Sequence, residues 1–296
     1  MAFFINVDQL RTLVSSKWRP EFPRTGSLIH QLFANEIAFT EFEYGEKVVI
    51  PLATDGVINE TWDPNTGSKS NYAKRKKIEA TLDKVIDIQE RIGRLESKAV
   101  GPKFIESKII RLRQQMAEIY DKYDAEQLVA GGTAIATAKP ITKNTILEEM
   151  AKMRIAVVNS ENEWTSGFLL ATADVVTEAT YAKLVTASPD GVLGMVNGVV
   201  GVVNGCITIE VPKSRLPENV NMIWVNTLAY ATFTGIDLPM DVGMYTDEKY
   251  MGQVYIAERE FFTGKVAVAK MVHYHKSTPD PDKSKPVSGA GSVQGG

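Results

Sequence analysis

The segment 103–130 reads KFIESKIIRLRQQMAEIYDKYDAEQLVA and decides how this chain folds. Its apolar residues recur at intervals of four and three positions, at Ile105, Ile109, Leu112, Met116, Ile119 and Tyr123. This spacing predicts an amphipathic helix with a narrow apolar stripe. At a rise of ~1.5 Å per residue the helix is on the order of 40 Å long. The stripe fits two arrangements: a coiled-coil seam between chains, or packing on a sheet of the same domain.

A polar arm precedes this helix. It starts with the apolar run Val48–Leu52 and passes through a loop of turn formers, Asp63–Ser68. It returns through the basic run Lys74–Lys77 into apolar residues at Ile78, Ala80 and Leu82. A compact monomeric enzyme seldom needs such an arm or so long a helix, whereas a subunit that reaches over its neighbours needs both.

Composition limits the class of protein. With 296 residues, 44% of them hydrophobic, the chain can bury a large core in one elaborate domain or two. The net charge of −3 gives no overall field that would attract nucleic acid. A single cysteine, Cys206, excludes an internal disulfide framework. We expect no signal peptide and no membrane span, because the first residues lack a basic region and no apolar run reaches about 18 residues.

Residues 77–88 fit two kinds of secondary structure. Alternating apolar residues favour a strand, and we expect a strand to about Ile86 with a helix after it. The apolar residues from Ile78 to Leu95 also fit a helix throughout, which Gly101 and Pro102 would join to the long helix as a hairpin.

The second half of the chain mixes helices and strands without a regular βαβ repeat, which predicts an α+β fold. Thr145 and Glu148 have the spacing of a capping box that opens a helix. Strands are predicted at 167–172, 206–211, 222–225, 253–257 and 265–274, the last two joined by a turn containing Gly264. The tail from Ser277 has the composition of a mobile segment.

The sequence contains no pattern typical of a catalytic, cofactor or metal site, and we predict none of the three. His273 and His275 would lie on one face of the last strand, but no third metal ligand is evident near them, so we interpret them as polar residues at a strand end. Cys206 is interpreted as a small buried residue. The pairs Asp83/Asp87 and Glu148/Glu149 are interpreted as surface charges.

Five residues are candidates for contacts between subunits: Trp62, Lys74, Arg75, Lys76 and Lys77. Trp62 lies in the polar loop, where no local core exists to bury it, and large aromatic residues in such places often fill a partner's pocket. The alternative is a ring packed on its own strand pair. The basic run fits a solvated face, a salt contact with a neighbouring subunit, or nucleic acid; we expect it to meet a neighbour's carboxylates.

The order of these elements resembles the major capsid protein of tailed bacteriophages, the Hong-Kong-97-type coat fold. The resemblance covers nearly the whole chain, but it is one of layout, without a short diagnostic motif. It implies six parts: an N-terminal arm at 1–41, an extended β-hairpin loop at 42–88, a peripheral domain at 89–143 with its spine helix at about 103–130, an axial domain with a mixed sheet at 144–240, return strands to the peripheral domain at 241–276, and a flexible tail at 277–296.

The resemblance also implies a function and partners. The chain would be a non-enzymatic subunit that forms pentamers and hexamers of an icosahedral capsid around double-stranded DNA, bound non-specifically. A separate scaffolding protein, a portal and a decoration protein would be its partners, and assembly would take place in the bacterial cytoplasm. The alternatives are another virion protein, such as a tail-tube subunit or a scaffold, and a soluble α+β enzyme with a dispersed site.

Overall fold

The computed structural model of the chain describes residues 27–33, 45, 47–52, 76–82, 84–93, 102–136, 138–186, 199–244 and 253–277. In chain order the helices are α1 (His30–Phe33), α2 (Pro102–Gly131), α3 (Ile146–Asn159) and α4 (Ala173–Tyr181). The strands are β1 (Lys47–Leu52), β2 (Lys76–Thr81), β3 (Lys84–Ile92), β4 (Thr133–Ala134), β5 (Gly167–Ala171), β6 (Val185–Thr186), β7 (Val199–Val203), β8 (Cys206–Glu210), β9 (Val220–Asn226), β10 (Tyr230–Met244), β11 (Val254–Val266) and β12 (Val272–Lys276).

The chain divides into two compact units. The first contains residues 1–131 and 227–269, and the second contains residues 132–226 and 270–296. Helices and sheets occur in both units, so the prediction of an α+β fold is confirmed. None of the helices in the described part of the chain is long and apolar enough to cross a membrane.

The first unit is built on a three-stranded antiparallel sheet in the order β10-β11-β3. In β3, Ile86, Ile88 and Ile92 are buried, while Asp87 and Gln89 between them are exposed. This alternation continues to the end of the strand, so the prediction of a helix after Ile86 is wrong. The period of two was the correct signal, because it places every isoleucine of this segment on one face.

The long helix is confirmed, and it lies within one residue of its predicted ends. Its buried side chains Ile109, Met116 and Tyr120 share a core with Ile88 and Phe262 of the sheet. The stripe therefore packs on a sheet of its own unit. One of its predicted members is wrong: Ile119 is exposed, and its neighbour Tyr120 is buried instead.

The arm forms a hairpin at its base. β1 and β2 pair antiparallel, with Lys47 opposite Thr81 and Leu52 opposite Lys76. The two strands that the sequence predicts on either side of the loop are therefore confirmed as a pair. Among the described strands, β1 and β2 hydrogen-bond only to each other.

The second unit is built on a seven-stranded mixed sheet in the order β4-β12-β9-β5-β8-β7-β6. Trp164 and Trp224 stack at 6.3 Å between ring centroids in its core, against which α3 and α4 also pack. The predicted capping box at the start of α3 is wrong. The Thr145 hydroxyl donates to the carbonyl oxygen of Pro140 at 2.7 Å, and Glu148 pairs with Lys139 and Lys152.

The end of the chain differs from prediction in two ways. β11 runs unbroken through Gly264, where a turn was expected. The predicted strand 265–274 does not exist as one element: its second half belongs to β12, which pairs with β9 and β4 of the second unit. Within 241–276, residues up to 269 belong to the first unit, and residues from 270 onward, including β12, belong to the second. Gly264 is needed in the strand because a Cβ there would overlap the Tyr230 hydroxyl and lie 3.0 Å from Asp124 Oδ1.

We predict that Gly264→Ala lowers the free energy of unfolding by about 1–3 kcal/mol, as overpacking of a filled interior does. The measurement is denaturant unfolding of the single variant, of Tyr230→Phe and of the double variant. Because both changes act on the same hydroxyl, the double variant should lose less than the sum of the single losses. Additive losses would show that Gly264 does not serve to accommodate Tyr230.

Candidate functional site

Of the five predicted contact residues, Lys76 and Lys77 are among the residues that the structure describes. Trp62, Lys74 and Arg75 lie outside the described residues. Lys76 and Lys77 lie in β2, opposite Leu52 and Pro51. Their role in contacts between subunits therefore stays a prediction.

The two histidines lie in the last strand, β12, as the sequence predicts, and both are buried. His273 Nε2 lies 3.1 Å from the carbonyl oxygen of Lys270, and His275 Nε2 lies 3.1 Å from Glu149 Oε2. Burial lowers the pKa of both histidines. Within the described ranges, no group of three or more His, Cys, Asp and Glu side chains is arranged to hold a metal.

Glu149 is also buried, so its interpretation as a surface charge is wrong. Its carboxylate contacts His275 on one side and the Lys152 ammonium at 2.8 Å on the other. Glu148, one residue earlier, is on the outside of α3, as predicted. Cys206 is buried as predicted, and burial raises the pKa of its thiol to about 12, which makes it a poor nucleophile.

The most elaborate polar arrangement lies in the first unit, where Asp121 of α2 holds the start of α1. Asp121 Oδ1 accepts hydrogen bonds from the Ser27 hydroxyl at 2.7 Å and from the backbone N–H groups of Ile29 and His30 at 2.9 and 3.1 Å. Asp121 Oδ2 accepts from the N–H of Leu28 at 2.9 Å. Hydrogen bonds from N–H and O–H donors to a carboxylate are shorter and stronger than those between neutral groups. One side chain thus fixes four consecutive residues of the N-terminal segment.

Asp124 lies one turn further along α2 and contacts the side chain of His30, which belongs to the same N-terminal segment. His30 Nδ1 lies 2.7 Å from Asp124 Oδ2, and the Tyr230 hydroxyl donates to Asp124 Oδ1 at 2.7 Å. When Asp124 is ionised its carboxylate only accepts, so Nδ1 is then the donor of this hydrogen bond. On the other side of the ring, His30 Nε2 lies 3.3 Å from the Thr234 hydroxyl. Burial raises the pKa of Asp124, although His30 and Tyr230 act in the opposite direction.

Glu260 of β11 completes this polar cluster. The Tyr120 hydroxyl donates to Glu260 Oε2 at 2.5 Å, and the Tyr120 ring stacks on His30 at 4.5 Å. Burial raises the pKa of Glu260 to about 7, against the effects of Tyr120 and His30. Burial also raises the pKa of Tyr120 well above its ordinary value, so this tyrosine stays a donor at neutral pH.

We name the set Ser27, His30, Tyr120, Asp121, Asp124, Tyr230, Thr234 and Glu260 the anchor cluster. Its hydrogen bonds join four stretches of chain: the N-terminal segment, α2, β10 and β11. The geometry is that of a clamp, because the members mainly bond one another instead of surrounding an open space. The sequence gives only a weak indication of this cluster. Two aspartates lie one turn apart on a helix whose other buried side chains are apolar or aromatic.

A cavity of about 270 Å³ lies elsewhere in the first unit, between β3 and α2. It is lined by Glu90, Lys108, Arg111, Leu112 and Gln115, and its Lys108 ammonium is bound to the Glu90 carboxylate. Most of the lining side chains are charged or polar, so this cavity has the chemistry of a charged surface groove.

Comparison with solved structures shows that the chain has the fold of phage capsid proteins. The capsid of cyanophage P-SCSP1u matches at a TM-score of 0.64 and 10% identity, over 87% of this chain and 90% of that one. The mature capsid of bacteriophage PhiM1 matches at 0.57 and 14% identity, over 83% and 87%. The capsid of Ralstonia phage GP4 matches at 0.57 and 10% identity, over 87% and 93%. No protein-family model and no curated protein matches the chain.

We predict that Asp121→Asn releases the N-terminal segment from α2. Asparagine keeps one acceptor oxygen but places an NH₂ donor against backbone donors and removes the charge, and hydrogen bonds to charged groups contribute about 1.5–3 kcal/mol each. Hydrogen exchange at the amides of Leu28, Ile29 and His30 should accelerate at least about tenfold. Glu126→Gln, an exposed change on the same helix, is the control. Unchanged exchange in Asp121→Asn would contradict the anchoring role.

A second prediction concerns pH. Between pH 4.5 and about 7 the folded protein holds a proton on Glu260 that the unfolded chain has released, so this residue makes the free energy of unfolding fall as pH rises through that window. Glu260→Gln removes this contribution. At pH 8 the free energy of unfolding of the first unit should therefore be higher in the variant than in the wild type. The expected difference is up to about 3 kcal/mol, because each unit by which a pKa differs between the folded and unfolded states corresponds to about 1.36 kcal/mol.

The measurement is hydrogen exchange of the α2 and β11 amides at pH 5 and pH 8, with the exposed change Glu126→Gln as the control. The difference between Glu260→Gln and the wild type should be small at pH 5 and large at pH 8. An equal difference at both values would show that Glu260 does not titrate in this range.

Proposed function

We propose that this protein is a structural subunit that assembles with copies of itself into the icosahedral capsid enclosing the double-stranded DNA of a bacteriophage. The observation that carries the proposal is the shared fold, which extends over more than four fifths of both chains in each of the three capsid matches.

The hairpin β1–β2 supports a role in assembly. A two-stranded hairpin on its own is marginally stable in water, and these strands pair only with each other among the described strands. Because β3 belongs to the core sheet from Lys84 onward, we propose that neighbouring subunits cover the extended loop over residues 42–82. We also propose that the part of 1–41 outside the anchored segment 27–33 serves as an arm that reaches neighbours. Many modest contacts of this kind add up over a closed lattice.

The chemistry of the buried polar groups supports a structural role without catalysis. The carboxylates Asp121, Asp124 and Glu149 are bound to amide, histidine or lysine partners of the same chain, which is how a protein holds its own segments in place. We further propose the virion capsid as the location, after assembly in the host cytoplasm. We also propose that the subunit forms pentamers and hexamers with its own copies. Its other proposed partners are a separate scaffolding protein, a portal, a decoration protein and non-specifically bound DNA.

The proposed domain assignment follows the two units. The peripheral domain takes α2 together with β3, β10 and β11, and the axial domain takes the seven-stranded sheet with α3 and α4. We assign β12 to the axial domain, and its pairing with β9 supports this choice. Residues 277–296 are proposed as a tail outside both cores.

Electron microscopy of the purified protein in negative stain tests the function. Closed shells of uniform diameter are expected. Tubes would favour a tail-tube subunit, and filaments or elongated rods would favour a scaffold. Small particles alone, with or without an added scaffolding protein, would contradict the proposal and favour a soluble enzyme.

We predict that Trp62→Ala lowers the yield of shells more than it lowers subunit stability, because an aromatic anchor in a partner's pocket is often worth 2 kcal/mol or more, about 30-fold in association. Trp62→Phe, which keeps a ring, is the control and should assemble. Shell yield is measured by sedimentation and stability by thermal unfolding. Equal losses in both would favour a ring packed on its own strand pair.

A further inference from the structure

The outer face of α3 exposes an apolar stripe. Leu147 and Ile155 are 56% and 57% exposed, and Ala151 and Val158 lie on the same side of the helix. The opposite side is buried in the core of the second unit through Ile146, Met150, Met153 and Val157. An amphipathic helix normally keeps polar residues on its outer side, so this helix has a second apolar face that its own unit does not cover.

The outer face of α4 presents different chemistry. Asp174, Thr177 and Tyr181 follow one another at intervals of three and four residues, so they lie on one side of the helix, and all three are exposed. Tyr181 is 69% exposed, which is unusual for a large aromatic side chain. The inner side of α4 packs through Val175, Val176 and Ala179.

The two faces are complementary in charge and spacing. Arg154 lies at the edge of the α3 stripe, and neither Arg154 nor Asp174 has an ion-pair partner among the residues that the structure describes. Seven residues separate Leu147 from Arg154, and seven separate Asp174 from Tyr181, a distance of about 10 Å along either helix. In an antiparallel arrangement, Arg154 therefore comes opposite Asp174 when Tyr181 comes opposite Leu147.

We propose that the outer face of α3 in one subunit packs against the outer face of α4 in the next, with Arg154 paired to Asp174 and Tyr181 on the apolar stripe. This inference rests on the proposed function, because its partner is a second copy of the chain. The contact joins two different surfaces, so it is heterologous, and contacts of that type close rings when the rotation between subunits fits.

The size of the stripe agrees with a contact made only within an assembly. Four partly exposed side chains offer a few hundred Å². A stable free dimer buries about 800 Å² per partner, so this surface alone is too small to hold two subunits together in solution. It can contribute where other contacts act at the same time, as in a closed shell.

A charge exchange tests the pairing. Arg154→Glu and Asp174→Arg are made singly and together, and each purified protein is assembled under the conditions that give wild-type shells. Shell yield is measured by sedimentation and electron microscopy, with thermal unfolding to confirm that each variant is folded. Each single variant should lower the yield by about tenfold or more, and the double variant should restore it to within about threefold of the wild type. Ile155→Asn should lower it as well, through the apolar part of the contact.

Three results would overturn the inference while leaving the proposed function intact, provided that the wild type forms shells. They are normal yield from both single charge variants, a double variant that assembles no better than the single ones, and normal yield from a folded Ile155→Asn variant. A wild-type protein that forms no shells under any condition would instead contradict the proposed function, and this inference would fall with it.

Discussion

Two carboxylates one turn apart on the long helix, Asp121 and Asp124, are the constraint on which the first unit depends. Both are completely buried, and a buried carboxylate without partners is strongly destabilising. The partners come from distant parts of the chain: the backbone around Ile29, the His30 ring and the Tyr230 hydroxyl. The N-terminal segment, the helix and β10 must therefore be in place together, and Gly264 is the residue that leaves room for them.

The anchor cluster and the surfaces proposed for contact with neighbours lie in different parts of the chain. The interior polar groups of the anchor cluster bond to one another, and the sheet and helix bury the apolar side chains around them. The features left for neighbours in the proposed shell are different ones: the hairpin β1–β2, whose strands pair only with each other among the described strands, and the exposed outer faces of α3 and α4. In a shell subunit, contacts with neighbours would stabilise these features most. An isolated two-stranded hairpin is marginally stable, and each helix face alone is too small for a stable interface.

The sequence predicted the elements whose signals are local. The long helix follows from its apolar spacing. The strand before the loop follows from the apolar run Val48–Leu52, and the strand after it follows from the alternation of Ile78, Ala80 and Leu82. The buried polar residues could not be predicted, because their partners lie far away in the chain. Asp121 meets Ile29 across 92 residues, and Glu149 meets His275 across 126, while each looks locally like a surface charge. The turn predicted at Gly264 was wrong for a similar reason. A glycine that is needed because another side chain packs against the backbone cannot be told from the sequence apart from a glycine that is needed for a turn.

Hydrogen exchange measured on free subunits and on assembled particles tests the account most directly. If the anchor cluster is intrinsic to the subunit, the amides of Leu28, Ile29 and His30 are protected equally in both states. Assembly then adds protection at the hairpin and at the exposed side of α3 and α4. Protection of the 27–33 segment that appears only in particles would contradict the account, because the segment would then be held by neighbours and not by Asp121 of its own chain.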